Sequence, residues 1–488
     1  MTTSRTRSTI DVRETDRFAS HVEAAAREDD LFRAFYAEPG MEDDISALRR
    51  RRRKVANTLD SPVRAVTLVE DDGVLYWRDG VPGRAVGGRR RRRGAPIVPE
   101  GNFVMTREFP PLAPNKVIDA IGALDRRLNS TVDTSLRSRL RALKQTSDGG
   151  FEFVAKDPSG PFTGRTLLLV HGTFSNADNM LNEFKFGRRA LRFLNRATRG
   201  PAKHDQVLFF DHPTLSVSPV MNALELGRAM AGSGGTIDVI AHSRGGLVVR
   251  WWLEAFGSSL RTSPATRVRA VLAGSPLHGT SLAAPDKIRG AMSLVTNIGT
   301  FAEKTLNLVG VANPFIWVAG KLIEVIVSVT GALARTPLVD ALTALIPGLS
   351  GQSAVSNNHE LSRLRIGPVA VDPAYFAIKS NFETTNPGWK FWRNFRKDRA
   401  GDLVADIVFP SGNDLVVDTW SMDDFGVPKL SLAGTACDFG TSDTVWHCNY
   451  FRQDRSIDYL ADAFRVSLDW GTDGWGCLTI SSGTALPG

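Results

Sequence analysis

The segment IDVIAHSRGGLVVRWW, residues 237–252, contains a serine in a setting where a hydroxyl can become a nucleophile. An apolar run ends at Ala241, a tight turn carries Ser243, and an apolar helix is predicted from Gly246. A strained turn between strand and helix exposes a serine hydroxyl, and small neighbours let the helix pack close to the strand. The first N–H groups of the helix, including that of Arg244, then point at the oxygen of an attacked carbonyl, where negative charge develops. The sequence therefore predicts nucleophilic chemistry at Ser243.

The elements that must hold this turn are short apolar runs that alternate with helical patterns. A continuous apolar run indicates a strand buried on both faces of a parallel sheet. The predicted strands are Thr166–Val170, Val207–Phe210, Ile237–Ala241, Val268–Gly274 and Tyr375–Ile378, and the predicted helices between the early ones are Met180–Ala197 and Pro219–Ala231. This alternation predicts an α/β fold with a mostly parallel, doubly wound sheet.

Three segments together resemble bacterial lipases and carboxylesterases of the α/β-hydrolase superfamily. AHSRG, residues 241–245, resembles the nucleophile elbow G-x-S-x-G, with Ala241 in place of the first glycine. LLLVHGTFSN, residues 167–176, resembles the lipase-type oxyanion loop. AGSPLHGTSLA, residues 273–283, resembles a segment that follows a strand in bacterial lipases and esterases. The resemblance spans roughly residues 166–464 and implies an α/β-hydrolase fold.

The resemblance implies roles for the residues around the elbow. Ser243 is the implied nucleophile, and the backbone N–H groups of Thr173 and Arg244 are the implied oxyanion hole. Gly172 and Phe174 are the implied substrate-binding residues. Gly172 lets the backbone approach the substrate closely, and Phe174 replaces Thr173 as the donor if the register shifts by one residue.

A catalytic histidine is implied by the chain order of this fold, which is nucleophile, acid and then histidine. The chain has eight histidines. His447, in SDTVWHCNYF, is the one that lies beyond the last predicted strand and after a suitable acid. We therefore expect His447 to be the general base.

The acid is implied by NDLVV, residues 413–417, which resembles the lipase pattern Asn-Asp-Gly-x-Val. In that pattern the aspartate, here Asp414, orients the histidine. Leu415 stands where the pattern has glycine. Asp418 and, after it, Asp406 remain alternative acids.

The sequence divides into three predicted regions. The first 155 residues form an N-terminal accessory region, rich in arginine and partly disordered, with a β-hairpin at Val63–Asp79 and helical spacing in Val117–Asn129 and Ser135–Gln145. Residues 156–282 and 351–488 form the α/β-hydrolase core. Residues 283–350 form an apolar, helical insertion, which predicts either a lid over the serine or a buried subdomain that completes the core.

The charge pattern raises the question of an anionic partner. The net charge is +8, and two arginine runs, Arg49–Arg53 and Arg89–Arg93, contain ten of the basic residues. Such runs predict either a solvated loop or contact with an anionic membrane surface. No zinc-finger or RNA-binding motif accompanies them, which disfavours nucleic acid as a partner.

Other segments narrow the class of protein. The first 20 residues contain no apolar run of signal-peptide length, and no apolar stretch is long enough to span a bilayer, so we expect a cytoplasmic protein or one peripheral to a membrane. Three cysteines disfavour a disulfide scaffold. No Cys or His spacing suits a metal and no glycine loop suits a nucleotide, so the sequence predicts neither a metal nor a cofactor.

Together these features predict a serine hydrolase that cleaves carboxylic esters of acyl chains or lipids. Ser243, Asp414 and His447 would form the triad, and an acyl-enzyme would be the intermediate. An acyltransferase or an amidase with the same triad is an alternative, because water and an alcohol compete for the same acyl-enzyme. A non-catalytic scaffold that binds a membrane or an effector is a further alternative. The expected partner is a small acyl ester or lipid, and the sequence leaves the oligomeric state open.

Overall fold

The structure of the chain is a computed structural model. The described residues are 64–71, 74–79, 102–109, 117–128, 138–199, 203–257, 266–284, 293–294, 296–297, 346–355, 358–366, 373–383, 409–426 and 434–468. Both arginine runs, Asp406 and most of the predicted insertion at 283–350 lie outside them. Across these residues, no helix has both the length and the apolar character needed to cross a membrane.

The N-terminal region contains a small antiparallel sheet and one helix. Strands β1 (Arg64–Asp71), β2 (Val74–Asp79) and β3 (Asn102–Phe109) pair in the order β2-β1-β3. β1 and β2 are antiparallel neighbours over the segment predicted as a hairpin, and β3 adds a strand that the apolar pattern does not predict. Helix α1 (Val117–Leu128) follows where helical spacing predicts it.

The main sheet has eight strands, of which the predicted apolar runs form the centre. The strands are β4 (Arg139–Gln145), β5 (Phe151–Phe153), β6 (Arg165–Val170), β7 (Gln206–Asp211), β8 (Thr236–His242), β9 (Arg267–Ala273), β10 (Ala374–Phe382) and β11 (Cys437–Ser442). Their order across the sheet is β5-β4-β7-β6-β8-β9-β10-β11. The strands from β7 to β11 in this order run parallel, whereas β4 runs antiparallel to β7.

Helices cover both faces of this sheet. The helices are α2 (Ala177–Phe186), α3 (Arg188–Arg199), α4 (Pro219–Ala229), α5 (Gly245–Ala255), α6 (Pro347–Ser350), α7 (His359–Ile366) and α8 (Asp454–Phe464). On β6, Leu167 and Leu169 pack into a core cluster with α2, α3 and α8. Leu168 and Val170 pack into a second cluster with α4 and α5 on the opposite face. Successive side chains of a strand point to opposite faces, so a continuous apolar run suits a sheet between two helical layers.

The strand order places two loops next to each other. β7 lies on one side of β6 and β8 lies on the other, so the chain crosses over β6 between β7 and β8. The loops that leave the carboxyl ends of β6 and β8 are therefore neighbours at the point where the winding reverses, which is where α/β sheets bind ligands. The sheet order and this crossing are those of a mostly parallel, doubly wound α/β fold.

The helix predicted at Ser135–Gln145 is wrong, because Arg139–Gln145 is strand β4. Leu140 and Leu143 have helical spacing, but pairing with β7 satisfies the backbone, and Arg141 forms an ion pair of 2.6 Å with Asp178. Sheet pairing here outweighs local helix propensity. The main sheet thus begins on the N-terminal side of the boundary predicted at residue 156.

The long helix predicted at Met180–Ala197 is two helices rather than one. Helix α2 ends at Phe186 and α3 begins at Arg188, with Gly187 in an extended conformation between them. Glycine is a poor helix former, so it divides a segment whose apolar spacing continues on both sides.

Candidate active site

Ser243 lies on a strained turn at the carboxyl end of β8. Its φ is +53°, in the left-handed region that residues other than glycine rarely adopt, and its side chain is nearly buried. The Ser243 N–H donates to Ala273 O at 2.9 Å, which ties the turn to β9. A Cβ on Gly245 would lie 2.5 Å from Val170 O, so only glycine lets α5 begin this close to β6. Helix α5 begins at Gly245, one residue before the predicted start.

The loop after β6 lies directly against this turn. A Cβ on Gly172 would lie 2.6 Å from Ser243 Cβ, so the two loops touch at backbone level. The N–H groups of Thr173 and Arg244 donate no hydrogen bond to another described residue, whereas the Phe174 N–H donates to Thr214 Oγ1 at 3.3 Å. Of the two register alternatives, Thr173 therefore has the available donor.

His447 and Asp414 form a buried hydrogen-bonded pair. His447 Nδ1 donates to Asp414 Oδ2 at 2.8 Å, and the His447 N–H donates to Asp414 O at 3.0 Å. Asp418, the reserve acid, instead accepts from the Ser281 N–H at 2.9 Å. The structure therefore joins His447 to Asp414 and not to Asp418.

Asp414 accepts further hydrogen bonds that fix its carboxylate. Oδ1 accepts from the N–H groups of Val416 at 3.1 Å and Val417 at 2.8 Å, and Oδ2 also accepts from Tyr450 Oη at 2.8 Å. Burial and the Asp414 charge raise the pKa of Tyr450 well above its usual value, so the phenol stays a donor. Tyr450 is not predictable from the sequence, because a tyrosine three residues after a histidine carries no signal of this contact.

Leu415 has a left-handed backbone conformation, which glycine adopts more readily than other residues. Its φ is +83°, and its side chain is fully buried. It packs in a cluster with Val69, Val74 and Tyr76 of the small N-terminal sheet and with Phe382 of β10. Apolar packing therefore accompanies the strained residue next to Asp414.

His242, which precedes Ser243, supports the backbone of His447. Its Nε2 donates to His447 O at 2.8 Å, and the two rings lie 4.8 Å apart, centroid to centroid. Burial, and then the nearby His447, lower the pKa of His242 to about 3, so its imidazole is neutral at physiological pH. Sequence analysis did not find this role, since it depends on a contact between residues 205 positions apart.

Ala273 and Gly274 are adjacent residues that lie close to Ser243 and to the Asp414–His447 pair, respectively. Ala273 O accepts from the Ser243 N–H, while a Cβ on Gly274 would lie 3.1 Å from Asp414 Oδ2 and 3.2 Å from His447 Nδ1. Among the described residues, Ser243 Oγ forms no hydrogen bond of 3.5 Å or less with His447. Hydrogen bonds between catalytic groups are often long in structures without substrate and shorten when substrate binds.

Residues 138–465 match the family model of a domain of unknown function, DUF7379. The chain belongs to the DUF7379 family. The match contains Ser243, Asp414 and His447, whereas α1 and the small N-terminal sheet precede it. No curated protein matches the DUF7379 chain significantly.

Solved structures with similarity to this DUF7379 protein include two lipases and an esterase. Mature lipase BlEst2 from Bacillus licheniformis is 14% identical, with 63% of this chain and 94% of that chain covered and a TM-score of 0.34. Lipase 1 from Pelosinus fermentans is 16% identical, with 62% and 99% covered and a TM-score of 0.34. The rice cell wall degrading esterase LipA from Xanthomonas oryzae is 12% identical, with 70% and 94% covered and a TM-score of 0.28.

Proposed function

We propose that this DUF7379 protein is a serine hydrolase that cleaves carboxylic esters through an acyl-enzyme. The observation that supports it most strongly is the 2.8 Å hydrogen bond between buried Asp414 and His447, beside the strained turn of Ser243. A buried acid–histidine pair next to a serine on a strand-to-helix turn is the arrangement that activates a hydroxyl for attack on a carbonyl.

The tautomer of His447 suits a general base. Because Asp414 accepts the Nδ1–H, the neutral ring has its lone pair on Nε2. When substrate brings the hydroxyl and this nitrogen together, Ser243 Oγ attacks the ester carbonyl and its proton moves to His447 Nε2. Asp414 then stabilises the imidazolium.

The N–H groups of Thr173 and Arg244 are the proposed donors to the oxyanion. Both groups belong to the neighbouring loops that follow β6 and β8, and neither has a protein acceptor among the described residues. Donors that are fixed before the reaction stabilise the negative oxygen of the tetrahedral intermediate, and one such donor is worth about 3–4 kcal/mol.

The remaining steps complete hydrolysis. The tetrahedral intermediate collapses, the bond to the leaving alcohol breaks, and His447 gives the alcohol its proton, which leaves an acyl group on Ser243. Water then attacks this acyl-enzyme and gives a proton to His447. The bond between Ser243 Oγ and the acyl carbon breaks, His447 returns the proton to Ser243 Oγ, and the acid product leaves. The apolar insertion predicted at 283–350 favours medium or long acyl chains as substrates.

Hydrolysis of p-nitrophenyl esters from acetate to palmitate tests this function. We expect turnover by the wild type that rises with chain length, and its loss in Ser243→Ala. Ser159→Ala is a matched control, because that serine is exposed and lies outside the site. Equal turnover by wild type and Ser243→Ala would contradict the proposal, and a preference for acetate would remove the long-chain substrate.

A further inference from the structure

Asp125 is a fully buried carboxylate on helix α1, in the part of the chain that precedes the DUF7379 match. It accepts hydrogen bonds from three consecutive residues of the loop between β7 and α4. Oδ1 accepts from the Thr214 N–H at 2.9 Å and from its hydroxyl at 3.4 Å. The Leu215 N–H lies 3.0 Å from both oxygens, and Oδ2 accepts from the Ser216 N–H and hydroxyl, each at 2.5 Å. A carboxylate with this many donors fixes the loop conformation.

This loop contacts Arg244 and Phe174, the residue that follows the other proposed oxyanion donor, Thr173. Thr214 Oγ1 accepts from the N–H of Phe174, the residue after Thr173, and Phe174 has a φ of +58°. The guanidinium of Arg244 donates through Nη2 to Val217 O at 2.6 Å. The 214–217 loop, which Asp125 holds, therefore contacts both segments that carry the proposed donors: the loop after β6 through Phe174, and the turn after β8 through Arg244.

Two more contacts link α1 to the same place. Leu128 O, at the end of α1, accepts from Asn176 Nδ2 at 3.0 Å, and Asn176 caps α2 by accepting from the Asn179 N–H at 2.8 Å. Burial lowers the pKa of the Arg244 guanidinium to about 10, and the negative charge of Asp125 opposes this lowering. Helix α1 thus fixes the oxyanion loop from its far end as well as through the 214–217 loop.

We propose that Asp125 is a positioning residue for the oxyanion hole, acting through the 214–217 loop on the backbone donors of Thr173 and Arg244. The inference rests on the proposed function. It assigns to α1 a part in the reaction, although α1 lies outside the family match. Asparagine at position 125 would present N–H groups to backbone N–H donors, so Asp125→Asn would lose several of these hydrogen bonds without changing side-chain size.

A substrate pair that differs in one atom distinguishes a displaced oxyanion hole from general damage. The kcat/KM value is measured for p-nitrophenyl butyrate and for its thionoester, in which sulfur replaces the carbonyl oxygen. Sulfur accepts hydrogen bonds poorly, so the donors favour the oxygen ester in the transition state. We expect Asp125→Asn to reduce kcat/KM for the oxygen ester by about 10- to 100-fold, mainly through kcat, and for the thionoester much less.

Control variants isolate the effect. Asp119→Asn changes an exposed carboxylate on the same helix and should leave the ratio of the two kcat/KM values unchanged. If Asp125→Asn does not fold, Thr214→Val takes its place, because it removes the hydroxyl between Asp125 and Phe174 at nearly constant shape. We expect Thr214→Val to lower the ratio of kcat/KM for the oxygen ester to kcat/KM for the thionoester. Thr214→Ser keeps a hydroxyl and should leave this ratio at the wild-type value.

The outcomes separate the two proposals. An active wild type, with an unchanged ratio in Asp125→Asn or in its substitute Thr214→Val, overturns the role of Asp125 and leaves the esterase in place. A wild type that cleaves neither ester overturns the proposed function and this inference with it.

Discussion

His447 Nδ1 donates to Asp414 Oδ2 at 2.8 Å, and both side chains are buried. The two residues are 33 positions apart. Asp414 lies between β10 and β11, and His447 follows β11. Ion pairs at a protein surface contribute little, but a buried imidazole held by a carboxylate has one tautomer and one orientation. This is the property that the proposed base requires.

Replacing the acid should therefore impair catalysis without removing the nucleophile. We expect Asp414→Asn to lower kcat by about 10²- to 10⁴-fold, because asparagine can donate to Nδ1 and so favours the wrong tautomer of His447. Asp418→Asn is the comparison, since Asp418 contacts Ser281 rather than His447. Steady-state kinetics on a p-nitrophenyl ester measure both variants, and a larger loss in Asp418→Asn would make Asp418 the acid.

The contact between the loops after β6 and β8 leaves no room for a methyl group at Gly172. In Gly172→Ala, the new Cβ would lie 2.6 Å from Ser243 Cβ, so we expect at least a 100-fold loss of kcat/KM. Gly187→Ala is the control, because its Cβ would have an ordinary contact of 3.6 Å with Ala190. If the two variants retain similar activity, the two loops do not meet at the reacting serine.

Sequence reasoning predicted the local elements around the candidate site. The strand predicted at Ile237–Ala241, which the structure extends to Thr236–His242, the Ser243 turn and the glycine at 172 all lie in short segments whose apolar runs and small residues have a direct structural meaning. The fold class follows from the same runs. The segment Arg139–Gln145 was mispredicted because its leucine spacing fits a helix and only its neighbour β7 makes it a strand.

Contacts between distant segments were not predictable from one sequence. Tyr450 and His242 hold Asp414 and His447 in place, but nothing in their own neighbourhoods marks them. Asp125 reads as one acidic residue on an amphipathic helix, and its role depends on a loop 89 to 91 residues away. Burial and hydrogen-bond partners of this kind arise only when the chain has folded.

His242 should make stability depend on pH below neutrality. Its pKa is about 3 in the folded protein and about 6.5 when unfolded, so the unfolded state binds more protons between these values. Its contribution is complete above about pH 6.5 and declines as the pH falls towards 3. We expect His242→Gln, which can still donate to His447 O, to reduce proton uptake on unfolding at pH 5 by about one proton.

Urea denaturation of wild type and His242→Gln from pH 7.5 to 4.5 measures this dependence. The slope of unfolding free energy against pH should be shallower in the variant. Identical slopes would show that His242 is protonated to the same extent in the folded and unfolded states.

At Leu415, backbone strain lowers the free energy of unfolding, while burial of the side chain raises it. Leu415→Gly relieves a φ of +83°, worth about 1–2 kcal/mol, but removes a buried leucine, which costs about 2–5 kcal/mol. We expect net destabilisation by about 1–3 kcal/mol in urea denaturation. A more stable variant would mean that packing against Val69, Val74 and Tyr76 contributes less than the strain.

The site of covalent labelling by a fluorophosphonate, mapped by peptide mass spectrometry, tests most directly the proposal that His447 activates Ser243. Such reagents phosphonylate a serine that a neighbouring base activates. We expect a single adduct on the peptide containing Ser243, with labelling at least 100-fold slower in His447→Ala. An unlabelled Ser243, or labelling at the same rate without His447, would contradict this proposal.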